Sequence, residues 1–123
     1  MKSSSCKAKG RVLQNWVCAI IRRLFHLSEH DVKPAIMGES GIDIKLSAEA
    51  RKRFNFAIEC KNVEKINIWE AWEQAKINSE KEALIPLLFI KRNRTTPLMV
   101  LDAEQGMCLL HELAYLKGLI RDE

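Results

Sequence analysis

Residues 84–90 read Leu-Ile-Pro-Leu-Leu-Phe-Ile, a run without a charged or hydrogen-bonding side chain. Seven residues is a strand length rather than a helix length, and far too short to cross a membrane. A strand that is apolar on both faces must be covered on both faces, the condition of a strand inside a helix-flanked sheet. This segment therefore demands helical layers on either side of it, and so an α/β fold.

The rest of the chain supplies candidates for those layers. Val12, Leu13, Trp16, Val17, Ile20 and Leu24 recur at helical spacing and predict a first helix over residues 11–25. Residues 26–41, with Pro34 and two glycines, read as a connecting loop. From Ile42 the period changes to two: Ile42, Ile44 and Leu46 point one way, Asp43 and Lys45 the other. Residues 47–54 read as a helical turn or a wide connection. Phe54, Phe56, Ile58 and Cys60 then alternate with Asn55, Ala57, Glu59 and Lys61, which marks a second strand. Asn67 offers an N-cap for a helix reaching about Glu82, with Ile68, Trp72, Ala75 and Ser79 on one face. After the basic loop at residues 91–94, residues 98–101 make a short fourth strand. Leu109, Leu113, Leu116 and Ile120 mark a last helix over about residues 105–120. The expected order is α-β-β-α-β-β-α, a central mixed four-stranded sheet flanked by helices. The first ten residues, with Lys2, Lys7 and Lys9, read as a flexible basic arm, and residues 11–123 as a single domain.

Lys and Arg number 20 against 16 Asp and Glu, and this net charge of +4 favours a polyanionic partner. Cys6, Cys18, Cys60 and Cys108 include no closely spaced pair, which excludes a zinc ribbon or a CxxC redox motif. Arg22 and Arg23 interrupt the apolar stretch over residues 12–27, so it reads neither as a secretory signal nor as a membrane span. The expectation is a cytoplasmic protein with reduced thiols and no membrane partner.

The period-two strand puts Glu59 and Lys61 side by side on one face, with Cys60 turned into the core. If the Asp43 strand lies next to it, three charges meet at one edge of the sheet. Two carboxylates within about 4 Å repel each other unless a divalent cation sits between them. Oxygen-only ligands suit a hard ion, Mg²⁺ or Mn²⁺, and the main-chain carbonyl of Cys60 could add a further oxygen. Such an ion activates water and neutralises charge on a phosphodiester in its transition state. Lys61 would orient the water or stabilise the developing phosphate charge. The alternative for the same residues is a solvated Glu–Lys pair on a strand surface.

GESGIDIKL (residues 38–46) followed by FNFAIECKN (residues 54–62) resembles the PD-(D/E)XK nuclease superfamily, and within it the small phage endonucleases and the archaeal and phage Holliday junction resolvases. The resemblance runs from Lys9 to about Leu101. It takes in Lys9-Gly10-Arg11 before the first helix, Ser40-Gly41 ahead of Asp43, and Glu59-Cys60-Lys61. It implies a restriction-endonuclease-like sheet, with Asp43 and Glu59 on the metal, Lys61 as catalytic lysine and Gln74 as the supporting glutamine of the following helix. Two positions depart from the pattern. Ile42 stands where a proline precedes the first acid, and Gln14 stands where the first helix offers a metal-binding Glu. An amide oxygen still coordinates, more weakly than a carboxylate, so either Gln14 holds a weakened site or Glu39 replaces it. The activity implied is Mg²⁺-dependent endonucleolytic cleavage of DNA, selective for structure such as a four-way junction, in phage-type recombination or replication. The alternative is a nuclease-like fold that binds nucleic acid without cutting it.

Lys9, Arg11, Lys33 and Ser40 ahead of the site, and Lys91, Arg92 and Arg94 in the late loop, are the candidate phosphate contacts. Arg51, Lys52 and Arg53 form a further basic cluster of the same type. Trp72 reads as core, and Trp69 as core or as a base-stacking platform. His26, His30 and His111 share no metal-ligand spacing. The leucine stripe of the last helix reads first as core and second as a dimer seam, and a twofold dimer would suit a symmetric junction.

Overall fold

A computed structural model describes residues 3–36 and 41–121. The first helix, α1 (Ser3–Phe25), starts earlier than its apolar stripe suggests. Residues 3–10, read from sequence as an arm, form its opening turns. The Asn62 side chain donates to the Lys9 carbonyl at 2.9 Å and fastens that end. Leu13, Val17, Cys18 and Ile21 form the buried stripe.

The loop expected after α1 contains a strand, β1 (Val32–Pro34), which pairs antiparallel with β2 (Ile44–Leu46) in the register Val32↔Leu46 and Pro34↔Ile44. Three residues ending in proline show no period to read. The strand is held from outside, since the Arg22 guanidinium donates twice to the Val32 carbonyl, at 2.9 and 2.6 Å. Short helix α2 (Ala48–Arg53) follows, capped by Ser47, whose hydroxyl accepts from the Ala50 amide and donates to Asp31. Two of its basic residues serve the fold rather than a ligand. Arg51 pairs with the Glu82 carboxylate, and Arg53 donates to the carbonyls of Phe25 and His26 at 3.1 and 2.7 Å.

Strand β3 (Phe56–Asn62) runs parallel to β4 (Ile85–Lys91) from Phe56↔Ile85 to Asn62↔Lys91, and β4 pairs antiparallel with β5 (Leu98–Val100). The parallel crossover is α3 (Ile68–Glu82), capped by Asn67 as its sequence predicts, with the side-chain oxygen accepting from the Glu70 amide at 3.1 Å. The expected four-stranded sheet is instead a mixed three-stranded sheet, β3-β4-β5, beside the two-stranded β1-β2. The cause lies at Asp43. Its amide donates to the Ile58 carbonyl at 3.1 Å, as a neighbouring strand would, but the next amide of β3, Cys60 N–H, is taken by the Asp43 side chain at 2.7 Å. A side-chain acceptor in place of a carbonyl ends the ladder.

Ile58, Cys60, Leu87 and Phe89 pack with Leu13, Val17, Ile21 and Ile44 in the main core. On the other face of the sheet Leu88 and Ile90 pack with Ala71, and Ile66, Trp72 and Val100 close over them. The apolar run of β4 is thus covered on both sides, as its composition requires. Among the described residues no helix is long and apolar enough to cross a membrane. The last helix, α4 (Ala103–Leu116), buries none of its side chains, so its leucine stripe is not core.

Candidate acid–lysine site

Alternation along β3 sends Ile58 and Cys60 into the main core and turns Glu59 and Lys61 toward α3. Glu59 is buried, with 6% of its surface exposed, and its Oε2 lies 3.9 Å from the Lys61 ammonium. Its other oxygen, Oε1, accepts from the Asn78 side chain at 3.3 Å. The same Asn78 nitrogen reaches the Gly41 carbonyl at 3.1 Å, which ties α3 to the backbone just ahead of Asp43. Gln74 lies one turn earlier on α3 and donates to Asn78 Oδ1 at 3.4 Å. Asn78 itself, not Gln74, touches the acid. Sequence reading missed it, although its spacing from Ala71 and Ala75 puts it on the inward face of the helix.

Asp43 sits just before β2 and is fixed by the Cys60 amide. In an extended strand the N–H and C=O of one residue leave on the same edge, so the Cys60 carbonyl faces the Asp43 side of β3. Burial, and then the charge of Asp43, push Glu59 up to about 7, while Lys61 and Asn78 pull it back. Burial also raises Asp43, opposed by the Cys60 amide, Lys61 and Arg11. The Cys60 thiol is held well above its ordinary value by burial and lies on the core side. The arrangement is a buried Glu59 beside a half-buried Asp43, a pair short of positive charge.

The donor set fits a hard divalent cation. It offers carboxylate oxygens and a main-chain oxygen, and the Cys60 thiol lies on the core side. Among the described residues no group of three or more His, Cys, Asp or Glu side chains converges; Mg²⁺ habitually keeps several waters beside one or two carboxylates. Gln14 is half-buried on α1 and, among the described residues, makes no hydrogen bond to either acid. The charge from α1 that reaches Asp43 is that of Arg11. Glu39 and Ser40 lie outside the described residues.

Two neighbouring clefts lie near the site, one of them bordered by Lys61. One, of about 300 Å³, is lined by Lys61, Lys65, Asn67, Glu70 and Gln74. The other, of about 340 Å³, is lined by Glu64, Lys91, Arg92, Thr95 and Leu98. Ile66 belongs to the wall of both, so Lys61, Lys65, Lys91 and Arg92 border adjoining surfaces. Lys65 is an addition to the basic residues expected from sequence. Lys9 is half-buried near Asn62, the residue after Lys61. Arg94 is exposed at a left-handed turn, φ +64°, and borders neither cleft. Lys33 is exposed on β1, opposite Lys45. Trp69 is 82% exposed at the start of α3, whereas Trp72 packs against the second core as expected. No protein-family model, curated protein or solved structure matches this chain.

Proposed function

We propose that the chain is a divalent-metal-dependent DNA endonuclease of the PD-(D/E)XK kind, with Asp43 and Glu59 as metal ligands and Lys61 as the catalytic lysine. The observation that carries this reading is the buried Glu59 beside the half-buried Asp43, with Lys61 alongside, at the point where the β2 segment meets β3. Burying one carboxylate beside another without a matching cation is costly, and a purely structural Glu–Lys surface pair would leave Glu59 in water. When bound, Mg²⁺ or Mn²⁺ supplies Lewis acidity toward the phosphate and its water nucleophile. Asp43 and Glu59 would hold the ion, and the Cys60 amide and Asn78 hold their side chains in place. Lys61, partly exposed, points its ammonium where a phosphate oxygen or the attacking water can meet it. Lys65, Lys91 and Arg92 offer charges to the sugar-phosphate backbone on either side, contacts that position a duplex without reading its sequence. Selectivity then rests on the shape of the DNA, as for a branched junction.

The deciding assay compares labelled four-way junction, flap and linear duplex in Mg²⁺, in Mn²⁺ and in EDTA. Cleavage in metal and none in EDTA is expected, with the junction or flap cut fastest. No cleavage of any substrate in either metal would sink the enzyme. Gln14, standing where the resemblance implies a metal-binding acid, favours a second reading in which the fold binds DNA without cutting. That outcome would show salt-dependent binding with no product. Asn78→Ala is expected to raise the Mg²⁺ concentration for half-maximal cleavage about tenfold, as loss of a hydrogen bond that orients a ligand usually does. An unchanged metal titration would show that Glu59 needs no partner on α3.

A further inference from the structure

We infer that the cleft between the β4–β5 turn and the start of α3 takes one unpaired nucleotide of a DNA strand. The inference deepens the nuclease reading and rests on it for DNA as the ligand. The cleft holds about 340 Å³, at the small end of the range for sites that enclose small molecules. Its walls are not those of a groove that only tracks phosphates. Ile90 and Leu98 are register partners across β4 and β5, and Ile66 and Ile68 come from the segment that opens α3. Ile90 is buried, but Ile68 and Leu98 stand 39% and 59% exposed, so the cleft leaves apolar surface in water.

The polar residues of the cleft sit in the turn, and the turn is preformed. The Thr95 hydroxyl donates to the Arg92 carbonyl at 2.9 Å and accepts from the Arg92 amide at 3.2 Å. Glu64 accepts from the Asn93 amide at 2.6 Å, and among the described residues it forms no ion pair with Lys91 or Arg92. The Lys91 ammonium donates to the Arg92 carbonyl at 3.1 Å. Among the described residues the Arg92 guanidinium and the Thr96 hydroxyl make no hydrogen bond.

A flat, largely apolar ring joined to an anion meets all of these groups at once. A paired duplex keeps its base faces stacked inside and cannot fill the cleft, whereas an unpaired nucleotide has already given up its stacking. The aliphatic walls take the faces of the base, Arg92 takes the phosphate, and Thr96 reaches the base edge. With one free hydroxyl the site has little means of telling one base from another. Inorganic phosphate or an acidic peptide would satisfy Arg92 but leave the isoleucines wet. Ile66 also lines the cleft that Lys61 borders, so the held nucleotide lies beside the proposed point of cutting. The substrate favoured is therefore duplex DNA carrying an unpaired strand, such as a flap.

Fluorescence anisotropy of the full chain in EDTA tests this with a labelled oligothymidylate and an abasic strand of the same length. The oligothymidylate is expected to bind about tenfold more tightly. Leu98→Asn should remove most of that advantage without weakening the abasic strand, and Ile68→Asn should do the same. Both positions are exposed, and an unchanged far-ultraviolet circular dichroism spectrum would verify folding. Arg92→Ala should weaken both strands by a similar factor and reduce the salt slope by about one. Equal parental affinity for the two strands, or a base preference that survives both asparagine variants, would overturn the assignment. Flap DNA in Mg²⁺ separates this from the nuclease reading. Cleavage without base-dependent binding overturns the cleft alone. Base-dependent binding that the asparagine variants lose, with no cleavage, upholds the cleft and sinks the nuclease.

Discussion

Asp43→Asn and Lys61→Ala are each expected to slow DNA cleavage about a thousandfold, equivalent to about 4 kcal/mol of transition-state stabilisation. The effect should appear in single-turnover rates at saturating Mg²⁺, with folding intact. Asparagine keeps the side-chain oxygen that accepts the Cys60 amide, and the Asp43 main-chain bond to Ile58 is untouched. Lys61 ends in a side chain 42% exposed, so its truncation opens no cavity in the core. The two variants differ in one diagnostic. Asp43→Asn should weaken the metal dependence, while Lys61→Ala should leave it in place and lower the plateau. Parental rates in either variant would remove that residue from the proposed mechanism.

Stability of the metal-free protein should fall as pH rises from about 5 to about 8, by about 3 kcal/mol from Glu59 alone. In the unfolded chain Glu59 ionises near its ordinary 4.5, whereas in the fold it keeps its proton to about 7. Between those values the folded state binds more protons, so each step up in pH favours unfolding, and the loss persists above 7. Asp43 is also raised and adds in the same direction from its ordinary 3.8 upward. Asp31, lowered by hydrogen bonds from Ser47 and Ser28, acts oppositely, and only as pH falls below that ordinary value. Urea denaturation in EDTA at the two pH values measures the effect. Glu59→Gln should flatten most of the slope and raise stability at the higher pH, and Mg²⁺ should restore part of the loss in the parent by binding the folded state. Equal midpoints at both pH values would mean that Glu59 ionises normally and that the site is not short of positive charge.

Strong periodicities made some elements legible from sequence. The period-two stretch around Ile58 and the continuous run of β4 gave both strands of the parallel pair, and the Asn67 cap located the start of α3. They also placed Glu59 beside Lys61 with Cys60 inward, which is the geometry found. What escaped was whatever depends on tertiary contact. Strand β1 is three residues held by Arg22 and by β2, with no pattern of its own. Asn78 lies among the polar residues that end α3, and only the approach of Glu59 and Gly41 distinguishes it. Arg51 and Arg53 read as phosphate contacts until Glu82, Phe25 and His26 come within reach. The leucines of α4 have the periodicity of a core helix, and periodicity alone cannot tell a core from a contact with another molecule.

The anchor that fixes Asp43 is a peptide amide, and it belongs to every amino acid except one. Alanine scanning across β3 will therefore pass over position 60 and register, at most, a small thiol lost from the core. The side chain there is free to drift among small apolar residues over generations without disturbing the acid beside it. Only proline would break the link, and it would remove the donor outright. Part of this site is thus written in the backbone, where neither a mutational survey nor a comparison of residue identities would look for it.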